Sequence, residues 1–212
     1  MILTLSKNSA RPSIGRNSAL NFKETIRNQL LENIEVKTRF LETNMEAINS
    51  AAVTLVKAAL RGNKILICGN GGSAADAQHL AAELIAKLKY RRRALPALAL
   101  TTDTSVITAL ANDDGFDQVF VRQVEAFGQE KDILIGISTS GNSINILKAV
   151  EQAKKQGLYT IILTGKNGGA MKEAGDLVIL VPSDNTQRIQ ECHITVGHIL
   201  CDIVEQAVYH SE

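Results

Sequence analysis

Two segments rich in glycine and hydroxyl groups, together with a few imidazole and carboxylate side chains, carry the chemistry this sequence offers. Gly69-Asn70-Gly71-Gly72-Ser73-Ala74 joins a short apolar run to a helical one, and its glycines let backbone N–H groups approach an anion closely at a helix N-terminus. It also fits GxGxxA, so with Asp103 downstream a dinucleotide turn stays open, beside a phosphate site and a tight turn that holds nothing. Ser138-Thr139-Ser140-Gly141-Asn142-Ser143 likewise separates an apolar run from a helix, and four hydroxyls at a helix start make a phosphate cradle. It lacks the Gly-Lys-Ser/Thr of a triphosphate loop, and Lys148 lies a turn inside the helix, so a monophosphate fits better. A polar turn with an N-cap is the plain alternative.

His79 and Glu83 are four apart on the helix leaving the first segment, so one helical face presents both to one ligand. Near the C-terminus Gln190, Glu191, His193 and His198 interrupt an otherwise apolar helix. A lone histidine on a packed helix is usually a core residue, which is the reading for His193; His198 gains weight beside His79 and Glu83. Lys87, Lys89, Arg91, Arg92 and Arg93 form a dense basic run, read as a solvated helix end where cations meet the negative end of the macrodipole.

These groups need elements to hold them. Candidate strands at 64–68, 96–101, 132–137, 159–164 and 176–181 are apolar throughout, as strands covered on both faces must be, and the intervening helical stretches suit parallel crossovers. The expected fold is α/β, a doubly wound five-stranded parallel sheet flanked by helices, with its ligand beyond the carboxyl ends of the strands. Ahead of it, Phe22, Ile26, Leu30, Ile34, Leu41, Met45 and Ile48 repeat at three-to-four spacing, which predicts an N-terminal helical extension with one buried stripe, split into two helices near Asn44. A stripe preceding an already complete fold predicts an oligomer interface. Residues 1–19 read as a disordered or irregular segment and 20–212 as one domain.

Composition narrows the function classes. The 23 Lys and Arg against 22 Asp and Glu leave a formal charge of +1, which supplies no general attraction to nucleic acid or to an anionic membrane. No run approaches a membrane span, no secretory leader is evident, and three cysteines without a CxxC pair indicate neither a disulfide framework nor a thiolate metal site. A cytoplasmic protein acting on a small molecule is expected.

Taken together and in order, CGNGGSAADAQHLAAEL, ANDDGF, GISTSGNS, LTGKNGG and RIQECHITVGHIL resemble the sugar isomerase (SIS) family and, within it, the phosphoheptose isomerases. The resemblance spans about residues 20 to 210. It implies conversion of D-sedoheptulose 7-phosphate into D-glycero-D-manno-heptose 7-phosphate for bacterial lipopolysaccharide or another surface polysaccharide, by a homotetramer with sites at subunit interfaces. Matching residues give Glu83 as general base and His198 as general acid. They give phosphate contacts from Ser138, Thr139, Ser140 and Ser143, and sugar contacts from Asn70, Gly71, Gly72, Ser73, Glu83, Asn112, Asp113 and Gln190. They also imply one Zn2+ per subunit on His79, Glu83, Gln190 and His198, an N/O set that suits zinc. Gln190 and His198 stand ~12 Å apart along a straight helix, so sharing an ion needs long side chains, an irregular helix or a second subunit. Gln187 departs from the family where some relatives carry an acid. A non-catalytic relative that associates with the replication initiator lacks the matching Glu and His, which favours the enzyme; a nucleotide-dependent oxidoreductase would leave Ser138 to Ser143 redundant.

Overall fold

Short apolar runs alternating with helical ones have one economical solution, a parallel sheet with helices on both faces. The computed structural model describes residues 21–211; the expectation of disorder over 1–19 falls outside them. The strands are β1 (Ile65–Gly69), β2 (Ala97–Ala99), β3 (Ile133–Ser138), β4 (Tyr159–Gly165) and β5 (Leu177–Val181), and the helices α1 (Phe22–Arg61), α2 (Gly72–Ile85), α3 (Thr104–Asp113), α4 (Val121–Phe127), α5 (Ile144–Lys155) and α6 (Thr186–Tyr209). All strand pairs are parallel, in the order β2-β1-β3-β4-β5. Ile65, Ile67, Ile135 and Leu163 pack on one face with α1, α2 and α6, whereas Leu66, Cys68, Leu134 and Ile162 pack on the other with α4 and α5. The chain winds outward in both directions from β1 and β3, so the loops leaving those strands open the crevice of a topological switch point.

Two expectations about the helices need correction. Residues 22 to 61 form one uninterrupted helix of 40 residues, not two broken near Asn44. Asn44 is buried because its side-chain amide bonds the backbone of the edge strand: Leu180 N–H donates to Oδ1 at 3.0 Å and Nδ2 donates to the Leu180 carbonyl at 3.0 Å. A polar residue inside the helix therefore supplies the strand pairing that an edge lacks. The second correction concerns the stripe. In the single chain Val36, Phe40, Leu55 and Ala59 are the buried positions of α1, while Phe22, Ile26, Leu30, Ile34, Leu41 and Met45 are each more than half exposed. A helix of this length spans ~60 Å, against ~17–23 Å for strands of five to seven residues, so its N-terminal half outruns the sheet.

Four residues of the basic run, Lys87, Lys89, Arg91 and Arg93, are exposed just past the end of α2, and Arg92 alone departs from the expectation of a solvated helix end. The run lies in the irregular stretch after α2, and the Arg92 side chain is fully buried 3.4 Å from the equally buried Glu205 of α6. Glu205 also accepts the N–H groups of Leu88, Lys89 and Tyr90, and Arg92 donates to the Glu83 carbonyl at 2.9 Å. Burial pushes the Glu205 carboxyl up, but those three N–H groups and the Arg92 charge more than offset it and hold the group below its ordinary range. Among the described residues no helix is long and apolar enough to cross a membrane.

Replacing Asn44 by Ala removes both bonds to Leu180 and leaves its N–H and carbonyl without their partner. Loss of about 1–3 kcal/mol is expected, read as a lower urea midpoint at unchanged slope. An unchanged midpoint would show that the edge strand does not depend on the side chain.

Candidate active site

The site is assembled where β1 and β3 end. After β1, Gly71 takes φ +56 in the turn that starts α2, a conformation that favours glycine, and a Cβ on Gly72 would meet the Gln190 side-chain amide. Asn70 and Asn145 exchange two amide hydrogen bonds at 3.0 and 2.9 Å, tying the β1 loop to the first turn of α5. After β3, Gly141 takes φ +67, and a Cβ there would fall 1.9 Å from the Gly168 carbonyl oxygen. Ser138 is buried and shares a 2.9 Å hydrogen bond with the Ser143 hydroxyl. Ser143 is the N-cap residue of α5, yet its side chain makes no capping bond. The Ser140 hydroxyl accepts from Asn142 N–H at 3.3 Å, and Thr139 is half-buried between them. The hydroxyls thus line a helix start, a place where backbone N–H groups gather, although Ile146 N–H is already taken by Asn145 Oδ1 at 3.0 Å. Lys148 does not serve this loop: it pairs with Asp117, and that hydrogen bond, against some desolvation, lowers the Asp117 carboxyl.

About two turns along α2 the second cluster forms. His79 Nε2 lies 2.8 Å from His198 Nε2 and 3.5 Å from Glu83 Oε1, with the imidazoles edge to face at 82°. The ligating atoms of His79, Glu83 and His198 all lie within 4.8 Å of one another. Helices α2 and α6 can meet here because residue 197 is glycine: a Cβ would sit 2.6 Å from Leu80 Cδ2. Two imidazoles and a carboxylate, convergent and leaving a position open, fit a zinc ion with an exchangeable ligand. Gln190 sets its amide against Gly72 at the start of α2. A hollow of about 410 Å3 borders His198, lined also by Leu88, Lys89, Ile199 and Asp202.

The remaining sequence candidates scatter. Ser73 is buried at the start of α2. Asn112 and Asp113 bond each other at 2.7 Å at the exposed end of α3. Asp103 caps α3 through Val106 N–H at 3.0 Å, which accounts for it without a ribose. His193 is a core residue: burial pushes its imidazole down to about 4 despite the Thr164 carbonyl that it bonds at 3.1 Å.

Sequence reasoning missed three residues. Asn145 resembles any polar residue in a first turn, and only the strand order brings it to Asn70. Gly197 carries no turn signal, because its role is helix contact. Asp76 stands three residues before His79 on the same face of α2, and that spacing was the available signal. Its Oδ2 is buried without a partner among the described residues; burial raises its carboxyl, and the charges of His79 and His198 offset this in part.

Comparisons with known proteins give the chain its family. The SIS domain family model matches residues 29–165. The chain is 51% identical over 185 residues to the phosphoheptose isomerase of Aquifex aeolicus (strain VF5), covering 87% of this chain and 97% of that one. It is 50% identical to that of Helicobacter pylori (strain P12), covering 88% and 97%. The solved phosphoheptose isomerase structures from Francisella tularensis and Neisseria gonorrhoeae superpose with TM-scores of 0.85 and 0.81 at 42% and 41% identity, each covering 88% of this chain and all of its own. With its strand order, serine-lined helix start and His–Glu–His cluster alongside those relatives, the chain belongs to the SIS-domain family and, within it, to the phosphoheptose isomerases.

Proposed function

We propose that this protein converts D-sedoheptulose 7-phosphate into D-glycero-D-manno-heptose 7-phosphate through an enediol, in the cytoplasm, supplying heptose for lipopolysaccharide or another bacterial surface polysaccharide. The observation that carries the reading is the meeting of His79 and Glu83 with His198 of α6 within 4.8 Å, beside the helix that leaves the loop tied by Asn70–Asn145 to the serine-lined start of α5. A phosphate anchored at one end of the crevice and an acid–base pair at the other match a sugar phosphate that reacts at its far end.

In this mechanism Ser138, Thr139, Ser140 and Ser143 hold the 7-phosphate with the first N–H groups of α5. Asn70, Gly71, Gly72, Ser73, Asn112, Asp113 and Gln190 take the sugar hydroxyls. Glu83 removes a proton from C1 of the open-chain ketose, His198 moves a proton between the C1 and C2 oxygens, and Glu83 returns its proton to C2. His79, Glu83 and His198, with Gln190 from a rearranged α6 or from a second subunit, would hold a zinc ion that supplies Lewis-acid polarisation of the substrate oxygens.

The enzyme is proposed to act as a homotetramer with active sites at its interfaces. The exposed line Phe22, Ile26, Leu30, Ile34, Leu41 and Met45 is a contiguous apolar face of the kind that marks association.

Glu83→Gln keeps shape and hydrogen bonding but cannot take the C1 proton. Turnover should fall by ~10² to 10⁴-fold with sugar phosphate binding largely retained in calorimetry; near-parental turnover would remove Glu83 from its role.

Ser140→Ala and Ser143→Ala each delete one charge-assisted bond to phosphate, about 1.5–3 kcal/mol, so apparent affinity should weaken by roughly 10 to 150-fold. Unphosphorylated sedoheptulose should bind equally poorly to parent and variants. Equal discrimination against both sugars would mean that the loop holds something else.

Light scattering at micromolar concentration should return about four times the 22.9 kDa chain mass, and Ile26→Glu with Ile34→Glu should lower it. A monomeric parent would overturn both the assembly and the shared site.

A further inference from the structure

At the opposite end of the sheet, where β3 and β4 begin, lies a groove of about 430 Å3 lined by Thr54, Lys57, Ala58, Arg61, Lys131, Ile133, Gly157, Leu158, Tyr159 and Asp176. It is a strand length, ~20 Å, from the loops that end β1 and β3, and the proposed isomerisation uses none of its residues. Its size falls within the range of small-molecule sites, about 300–1,000 Å3.

The charge arrangement is lopsided. Lys57 and Arg61 are four apart, on one face of the last turns of α1, and neither forms an ion pair among the described residues. Capping does not account for them, because the Ala58 carbonyl accepts from Asn63 N–H, and the Ala59 carbonyl from Gly62 N–H and Arg93. Lys131 meets only Glu130, at 3.5 Å with both side chains well exposed, a kind of pair worth about 0–1 kcal/mol. The one acid in the lining is engaged: Asp176 accepts the Thr160 N–H and hydroxyl and pairs with Lys154 at 3.2 Å. Lys57 and Arg61 therefore face the groove without a matching anion, and Lys131 adds a third charge held only by its exposed pair with Glu130.

The backbone fixes where Lys131 starts from. Lys131 has φ +73, one of two non-glycine residues in the left-handed region among those described. Such a conformation costs roughly 1–3 kcal/mol and persists where surroundings impose it; here Lys131 N–H is held by the Gly157 carbonyl at 2.9 Å. Beside the cations, Tyr159 presents a half-buried ring next to buried Ile133 and Leu158, an apolar wall suited to a flat heterocycle. A single phosphate would fill little of this volume and would leave that wall bare.

We infer that this groove is a second ligand site, for a nucleoside diphosphate, with its phosphates on Lys57, Arg61 and Lys131 and its base against Tyr159. The site is separate from the sugar phosphate crevice and places a nucleotide where it contacts α1 and the starts of two core strands.

Calorimetric titration of the full chain with ADP tests this. Saturable binding is expected, weakening as salt rises. Lys57→Ala and Arg61→Ala should each reduce affinity by roughly tenfold or more, and the pair together further. Inorganic pyrophosphate should bind more weakly than ADP, and Tyr159→Ala should narrow that difference. The Ser140→Ala, Ser143→Ala double variant should bind ADP like the parent, with sedoheptulose 7-phosphate failing to displace it. Absence of binding at millimolar ADP would overturn the inference. So would affinity indifferent to Lys57 and Arg61, or loss of ADP binding in the serine variant. Pyrophosphate binding as tightly as ADP would overturn the assignment to a nucleoside. Circular dichroism and thermal melting of the lysine and arginine variants, both at exposed positions, should match the parent, so a lost signal reads as lost binding.

Discussion

Because the chain winds outward in opposite directions from β1 and β3, the loops leaving those two neighbouring strands diverge onto opposite faces of the sheet and leave a crevice that no crossover fills. The site rests on that constraint. Helix α2 carries the β1 loop onto the face shared with α1 and α6, and α5 carries the β3 loop onto the other. The Asn70–Asn145 amide pair joins the two starts across the gap. Its bonds are reciprocal, so each amide satisfies one donor and one acceptor of the other, and the loops are held in register without closing the crevice between them.

The acid–base cluster depends on a second approach, between α2 and α6. Gly197 lets the helices come close enough for His198 to meet His79, and the Glu205 carboxylate gathers three N–H groups of the stretch after α2 while Arg92 reaches the Glu83 carbonyl. A buried ion pair gains little net stability when desolvation is counted. What this one fixes is position: it couples the end of α2 to the helix that bears His198, so the carboxylate and the imidazole move as one piece. An apolar pair of equal volume would fill the space but could not satisfy the N–H groups of residues 88 to 90.

Much of the fold was legible because strands buried on both faces must be apolar throughout, and each of the five candidate runs became a strand within a residue or a few of its expected ends. Helical spacing alone put His79 and Glu83 on one face. The failures share a cause. Asn44 looked like a helix breaker because its partner, Leu180, is 136 residues away. Arg92 looked solvated because Glu205 lies on another element, and Asn145 and Gly197 were silent because their importance exists only between elements. The exposed line on α1 shows the converse error, since periodicity reveals an apolar face but not whether the same chain covers it.

That uncovered face and the openness of the cluster bear on each other. His79 retains 47% of its side-chain exposure in the single chain, whereas an enediol needs shelter from water while protons move between carbon and oxygen. Within one chain nothing on α2 or α6 can supply that shelter, because both helices are already committed to packing on the sheet and on each other. A neighbouring copy docked along α1 would remove apolar surface from water, and a surface brought against the open side of the cluster could enclose it. One association would then answer both deficits, which is why the proposed tetramer and the proposed chemistry stand or fall together.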